Sequence, residues 1–421
     1  MRVINNENDF GYFFLVFYIF WGWIFTKTVY ANNLFVYLSF VYLFIAFTLK
    51  LVNKLNHDKV EIDKLAWAWI PYYAYTCLGW LSKSNFENFV YYFVCLIIVI
   101  IAYGNNIQNK IPYKFIIYSG LLTVASIFFQ MLTPSVYTSI IGNKLEYAQI
   151  NLWTSGEYGF NGIMYQLGCT AEMLTVALLV FWSVGRNLIK WISENKVLYW
   201  AIFVVFVICT FLTGKRINSL MVIVIPSLII YFQVKSLKKR LAVAIGLGIL
   251  FFAFVSLIII NAEDLVDNFI FRRVAISVLS TESDGWSGVS GGREFLFDKA
   301  LDMFYQNPIF GAGLGSFVSR YGIMVHNMYY QTLAEQGVVG LVLLLYPLLF
   351  CLTNTVYHLR NIRVASYKPW LMLALALQLN YIIQGFTDNT SIGGFLLNAV
   401  AIALTINYKY IRVVTKNNIS Q

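Results

Sequence analysis

Nearly uncharged apolar runs dictate what this chain can fold into. They lie near 11–26, 33–49, 65–82, 87–103, 115–133, 161–183, 197–213, 217–234, 241–260, 328–355, 369–384 and 391–408. A helix that crosses a bilayer needs about 20 predominantly apolar residues, whereas a buried helix of a soluble domain seldom exceeds about 14 without a charge. Runs of this length, repeated this often, describe an all-α polytopic membrane protein of about twelve transmembrane helices. Composition agrees: 59% of residues are hydrophobic and 12% charged, against about a quarter charged in soluble domains. A cytosolic enzyme is excluded. The first run lacks a basic n-region and a small-residue cleavage site, so it reads as a first span and not as a signal peptide.

The net charge of +10 invites a nucleic-acid partner, but its placement argues otherwise. With the N-terminus in the cytoplasm, alternate loops place twenty of the 30 Lys and Arg residues on the cytoplasmic side, among them Lys50, Lys54, Arg186, Lys190, Lys238, Lys239, Arg240, Arg360 and Lys409. Basic residues concentrated in cytoplasmic loops set membrane orientation. Both termini are therefore expected in the cytoplasm, and no basic stripe interleaved with aromatics is left for nucleic acid. Trp67, Trp69, Trp80, Trp153, Trp191 and Trp200 fall near expected span ends, where amphipathic rings favour the headgroup layer. Cys77, Cys95, Cys169, Cys209 and Cys351 are odd in number, far apart and each inside an apolar run, which fits small buried hydrophobes and no disulfide frame.

The runs divide the chain into an N-terminal membrane bundle over 1–260 of about nine spans, a long extracytoplasmic loop over 261–327, and C-terminal membrane helices with a cytoplasmic tail over 328–421. A long translocated loop is where extracytoplasmic chemistry would be placed. Within it Phe297, Leu301 and Phe304 recur at i, i+4, i+7, an amphipathic helix able to lie along the membrane surface. Asn307-Pro308 ends that helix. Gly311-x-Gly313-x-Gly315 follows; it lacks the preceding strand and the later acid of a dinucleotide-binding unit, and reads as a tight turn. His326-Asn327 and Glu335-x-Gly337-x-x-Gly340 then lead into a span.

Gly292-Arg293, the amphipathic helix, Asn307-Pro308-x-x-Gly311-x-Gly313-x-Gly315, His326-Asn327 and Glu335-x-Gly337-x-x-Gly340 form an ordered set over about 291–345 that resembles the signature region of the O-antigen ligase and O-antigen polymerase superfamily. The resemblance implies a GT-C-type membrane glycosyltransferase that needs no metal or other cofactor. Its donor would be a glycan linked to undecaprenyl pyrophosphate, and its acceptor a lipid-linked repeat unit or lipid A-core. It would work in the bacterial cytoplasmic membrane with its site facing the periplasm or exterior, and a separate chain-length regulator is left open as a partner. In that family two arginines bind the pyrophosphate and a histidine serves the acceptor hydroxyl; the matching positions are Arg216, Arg293 and His326.

The residues themselves support these roles to different degrees. Lys215 and Arg216 sit in a short turn that the topology makes extracytoplasmic, so they defy the charge rule; an anionic ligand there, or snorkelling to headgroups, would account for them. Arg293 opens a helix, whose free N–H groups also favour anions, although pairing with Glu294 or Asp298 is an alternative. His326 is the only histidine placed outside, and imidazole is suited to take a hydroxyl proton near neutral pH; a cap or interfacial residue is the plainer reading. Asn327 is expected to cap the next helix. Glu335 is read as a partner for an arginine or a direct participant, and Asp388, between the last two spans, as a group that positions a basic residue. Glu172 falls mid-span by this reading, where an acid is costly, so it is either functional or a helix-pairing residue. No Asp-x-Asp pair that would hold a divalent ion occurs.

The preferred subclass is a polymerase, because nothing in the long loop looks dedicated to lipid A-core. A ligase shares the same residues. A transporter or flippase also suits twelve spans, yet no internal repeat and only one central charge are found.

Overall fold

The computed structural model describes residues 64–83, 113–141, 159–267 and 293–388, apart from 165, 235 and 363, together with 88–90, 92, 93, 95, 96, 271, 275, 276, 279, 403 and 406. Among these the chain is all-helical, without a strand. The helices are α1 (Lys64–Ser82), α2 (Tyr113–Leu132), α3 (Pro134–Ile140), α4 (Leu167–Leu188), α5 (Lys190–Glu194), α6 (Lys196–Leu212), α7 (Arg216–Gln233), α8 (Leu237–Ile260), α9 (Ala262–Leu265), α10 (Glu294–Gln306), α11 (Ser316–Tyr321), α12 (Met328–Asn361) and α13 (Lys368–Gln384). By length and apolarity four of the described helices suffice to cross a membrane: α2, α4, α7 and α12. The expected runs at 11–26 and 33–49, most of 87–103 and of 391–408, and Trp153 lie outside the described residues.

Helix α4 is the centre of the bundle. Its apolar residues are buried all round, from Met173 to Phe181, and it packs against α2, α6, α7 and α13. Pro71, Pro226 and Pro347 lie inside helices, which neighbouring helices tolerate in membrane bundles by re-satisfying the freed carbonyls. All five cysteines are free and buried, as expected of small hydrophobes. The tryptophans divide. Trp67, Trp191 and Trp200 are exposed, whereas Trp69 packs with Tyr73 and Tyr381, and Trp80 with Tyr92, inside the core.

Three hydrogen bonds orient the helices. Arg360 Nε donates to Phe232 O at 3.0 Å, joining the C-terminal ends of α12 and α7. Met328 N donates to Gly385 O at 2.8 Å, joining the start of α12 to the end of α13. Asn218 Nδ2 donates to Thr175 Oγ1 at 3.1 Å, setting α7 parallel to α4. One end of the bundle, called upper here, therefore gathers the N-termini of α4, α7 and α12 and the C-termini of α6 and α13. The lower end gathers Arg186, Lys190, Lys196, Lys238, Lys239, Arg240, Arg360 and Lys368. The described basic residues that the charge pattern assigned to one side of the membrane share one end, opposite Lys215, Arg216 and Arg293.

The run expected as a span over 161–183 begins later and ends later, at Leu167–Leu188. The reason is a buried polar knot that hydropathy does not register. Gly162 N donates to Gln130 Oε1 at 2.9 Å and Ile163 N to Ser126 Oγ at 3.0 Å. Asn161 receives Gln130 Nε2 at 3.2 Å and Tyr137 OH at 3.0 Å, and its own amide donates to Met164 O at 2.8 Å. The Gln130, Tyr137 and Asn161 side chains are almost wholly buried, and burial raises the Tyr137 phenol above its ordinary pKa, keeping it a donor. Every partner of the knot would otherwise be a desolvated polar group, so 159–166 is held irregular and α4 starts after it.

Candidate active site

The α12 N-terminus is sewn to the end of α13. Asn327 caps α12 as expected: its Oδ1 accepts from Tyr329 N at 3.0 Å and Tyr330 N at 3.1 Å. Its Nδ2 donates to Phe386 O at 3.0 Å, and Tyr329 OH donates to Ile382 O at 2.8 Å. Against this fixed corner stands His326, with φ of 57°, the one non-glycine residue with positive φ among the described residues. Left-handed backbone costs an L-residue on the order of 1–3 kcal/mol and persists only where the surroundings over-determine it.

The surroundings are identifiable on both sides of the histidine. Val325 N donates to Gln331 Oε1 at 3.0 Å, Gln331 Nε2 donates to Glu335 Oε1 at 2.9 Å, and the same oxygen accepts from Phe317 N at 3.2 Å. Gln331 and Glu335, one turn apart on α12, thus clamp both ends of the 317–325 segment, while Asn327 holds the residue after His326. Glu335 is 5% exposed and turned to this backbone, not to an arginine, because α11 lies over it. Gln331 was not singled out from sequence. Its i, i+4 spacing before a buried acid was the available signal. Gln331→Leu strands the Val325 N–H, at about 1–3 kcal/mol for a buried group left unsatisfied, and leaves Glu335 with the Phe317 N–H but without the Gln331 amide; thermal unfolding of the purified protein should show the loss, with product formation falling alongside it.

Asp388 Oδ1 lies 3.9 Å from His326 Nδ1, with side chains 51% and 37% exposed. The distance exceeds a hydrogen bond and suits attraction to a protonated imidazole. Arg293, the N-cap of α10, sends Nη1 to Thr387 O at 3.0 Å and not to Glu294 or Asp298. A guanidinium has five N–H donors, so most of this one remains for an anion. The turn after α13 therefore brings Arg293, His326, Asn327 and Asp388 together, although they come from three separate stretches of chain. Lys215, the N-cap of α7, and Arg216, its first residue, stand at the same upper end, with the Lys215 side chain running beside Gly168. Glu172 belongs to this end too. Because α4 starts at Leu167, Glu172 lies in its second turn and not mid-span, one turn from the Thr175 that binds Asn218.

Beneath the histidine, α12 is broken. Gly337 has φ of 64° and ψ of −161°, a region open essentially to glycine alone. The break frees backbone groups, and the Pro308–Gly313 turn takes them. Val338 N donates to Pro308 O at 2.9 Å and Val339 N to Ile309 O at 3.1 Å, while Ala312 N donates to Ala334 O at 2.9 Å and Gly313 N to Glu335 O at 2.8 Å. A Cβ on Gly311 would collide with the Glu335–Gln336 backbone, and one on Gly337 with the Ile309 carbonyl. The two glycine motifs are halves of one contact. Helix α10 docks on the same region. Leu296, Ala300 and Met303 are its buried face, and Phe297 stacks on Tyr330 at 5.0 Å. The apolar face is thus turned one residue from the expected Phe297, Leu301 and Phe304, because it meets α12.

Residues 201–345 match the family model described as O-antigen ligase. That stretch is similar to the O-antigen ligase family. It runs from α6 through the glycine turn into α12, and so contains Lys215, Arg216, Arg293, His326, Asn327, Gln331 and Glu335. Glu172 and Asp388 fall outside it, although Asp388 reaches its histidine. A search of curated proteins gave no match. The similarity supports an integral membrane enzyme acting on a lipid-linked glycan and an acceptor.

Proposed function

We propose that this protein is a polymerase of lipid-linked oligosaccharide repeat units. It moves a growing glycan from undecaprenyl pyrophosphate to a hydroxyl of the incoming unit, by a metal-independent, inverting, GT-C-type reaction on the outer side of the cytoplasmic membrane. The observation that carries the reading is His326, held in a left-handed backbone beside Arg293 and Asp388, in a stretch similar to the O-antigen ligase family. The acceptor oxygen attacks the anomeric carbon and its proton passes to His326, whose imidazolium Asp388 stabilises from 3.9 Å. The bond from that carbon to the pyrophosphate oxygen breaks on the opposite face. The leaving pyrophosphate takes the electron pair, and Arg293 and Arg216, assisted by Lys215, neutralise the charge that develops. Glu172 is assigned to hold the Arg216 end of the site in place.

Arg293→Ala should lower turnover by about 10²–10³-fold, the usual effect of removing one donor from a developing oxyanion. Arg293→Lys should recover little, since a point charge lacks the fork that matches two phosphate oxygens. Steady-state rates on purified lipid-linked repeat units give both numbers, and a wild-type rate in Arg293→Ala would remove the arginine from the mechanism. The same incubation separates the subclasses. A ladder of lipid-linked polymer supports the polymerase, whereas product only on addition of lipid A-core makes the protein a ligase.

A further inference from the structure

The glycine turn carries two large apolar side chains that the fold leaves outside: Ile309 is 61% and Phe310 65% exposed. In water this is an unfavourable place for them, and neither touches the reactive corner. Their backbone, however, is bonded to α12 immediately below its break, through Pro308 O to Val338 N and Ile309 O to Val339 N. From there α12 continues with Val338, Val342, Tyr346 and Leu349 exposed at 47%, 57%, 56% and 55%. These recur at i, i+4, i+8 and i+11, so they form one apolar face of a helix apolar enough to cross a bilayer.

Depth follows from counting. The leg Val338–Asn361 rises about 36 Å at 1.5 Å per residue, and hydrocarbon is about 30 Å thick. With His358 and Arg360 in its last turn, the first turn of that leg comes up at the opposite edge of the hydrocarbon. Ile309 and Phe310 are tied to that first turn. Irregular backbone survives at this depth only when its polar groups are satisfied from within the protein, and the exchange of bonds between 308–313 and 334–339 supplies this for most of the turn. Tyr305, 72% exposed at the end of α10, has the amphipathic character favoured at the headgroup level just above.

We propose that Ile309 and Phe310 are immersed in the acyl chains of the upper leaflet. The turn would then be a membrane anchor continuous with the lipid-facing side of α12, and not part of a loop surrounded by water. The occupant is phospholipid hydrocarbon, and the proposal does not depend on the reaction assigned above.

Spin labels on Ile309→Cys and Phe310→Cys test it in full-length protein reconstituted into phosphatidylglycerol and phosphatidylethanolamine vesicles; the native cysteines are buried and leave little background. Collision rates with oxygen, which partitions into hydrocarbon, are compared with those of a water-soluble nickel chelate. Val342→Cys is the lipid reference and the exposed Ser319→Cys the aqueous one. The expected result is an oxygen-to-nickel ratio at 309 and 310 near that of 342 and several-fold above that of 319. A ratio near that of 319 overturns the anchor. So does low access to both probes, which would mean that another segment of the chain or a second copy covers the turn.

Discussion

His326→Ala and His326→Asn should be equally inactive, each losing about 10²–10⁴-fold in glycan transfer, the range for removing a positioned general base. The pair is chosen because of the backbone. At φ of 57° alanine is strained, so loss in His326→Ala alone would leave open whether the imidazole or the chain conformation had been removed. Asparagine is among the residues that tolerate left-handed backbone, and it keeps a polar side chain of similar reach without a group that takes a proton near neutral pH. If asparagine restored activity, the histidine would be there for its backbone and a different base would have to be found. Protein amount and unfolding temperature, measured beside the rates, separate chemistry from misfolding.

The second large effect is expected at Gly337→Ala. The residue occupies a backbone region that only glycine visits freely, worth on the order of 1–3 kcal/mol, and its new Cβ would also collide with the Ile309 carbonyl that accepts from Val339. The strand of contacts from Pro308 to Gly313 must then part from α12, and with it goes the clamp that fixes the chain before His326. A thermal scan that reports exposure of the buried cysteines to a thiol-reactive dye should show the variant unfolding well below wild type. Gly322→Ala is the comparison. Gly322 also has positive φ, at 73°, but nothing lies within 4 Å of its added Cβ, so it should lose only the backbone contribution. Equal stability of Gly337→Ala and wild type would show that the break in α12 is not required.

Where hydrophobicity alone decides an element, the sequence was a good guide. Runs read at 197–213, 217–234 and 369–384 appear as Lys196–Leu212, Arg216–Gln233 and Lys368–Gln384, because polar residues bound them tightly. It was a poor guide where polar side chains act on backbone. The knot around Asn161 moved the start of α4 and carried Glu172 from mid-span to the upper end. The site was legible as a set of residue types: Arg293, His326 and Asn327 stood out by charge, sidedness and motif. Their assembly was not, since Thr387 and Phe386 contribute only carbonyl oxygens, which any residue could supply and no side-chain pattern announces. Gln331 and Glu335 are intermediate. Their spacing was visible, but the N–H groups they hold belong to Val325 and Phe317, whose side chains say nothing about it.

The turn that follows α13 has a consequence for how the protein is made. By the time a ribosome has synthesised residue 330, the nascent chain already contains Arg216, Arg293 and His326, yet Gly385, Phe386, Thr387 and Asp388, which hold the start of α12, Arg293 and His326 in place, have still to be made. The candidate site is therefore closed by a segment translated after the side chains it aligns. Until α13 has been threaded into the membrane beside α12, a partly synthesised chain carries the side chains of the candidate site without the frame that aligns them. The order of synthesis thus makes alignment of Arg293 and His326 wait for insertion of α13 beside α12.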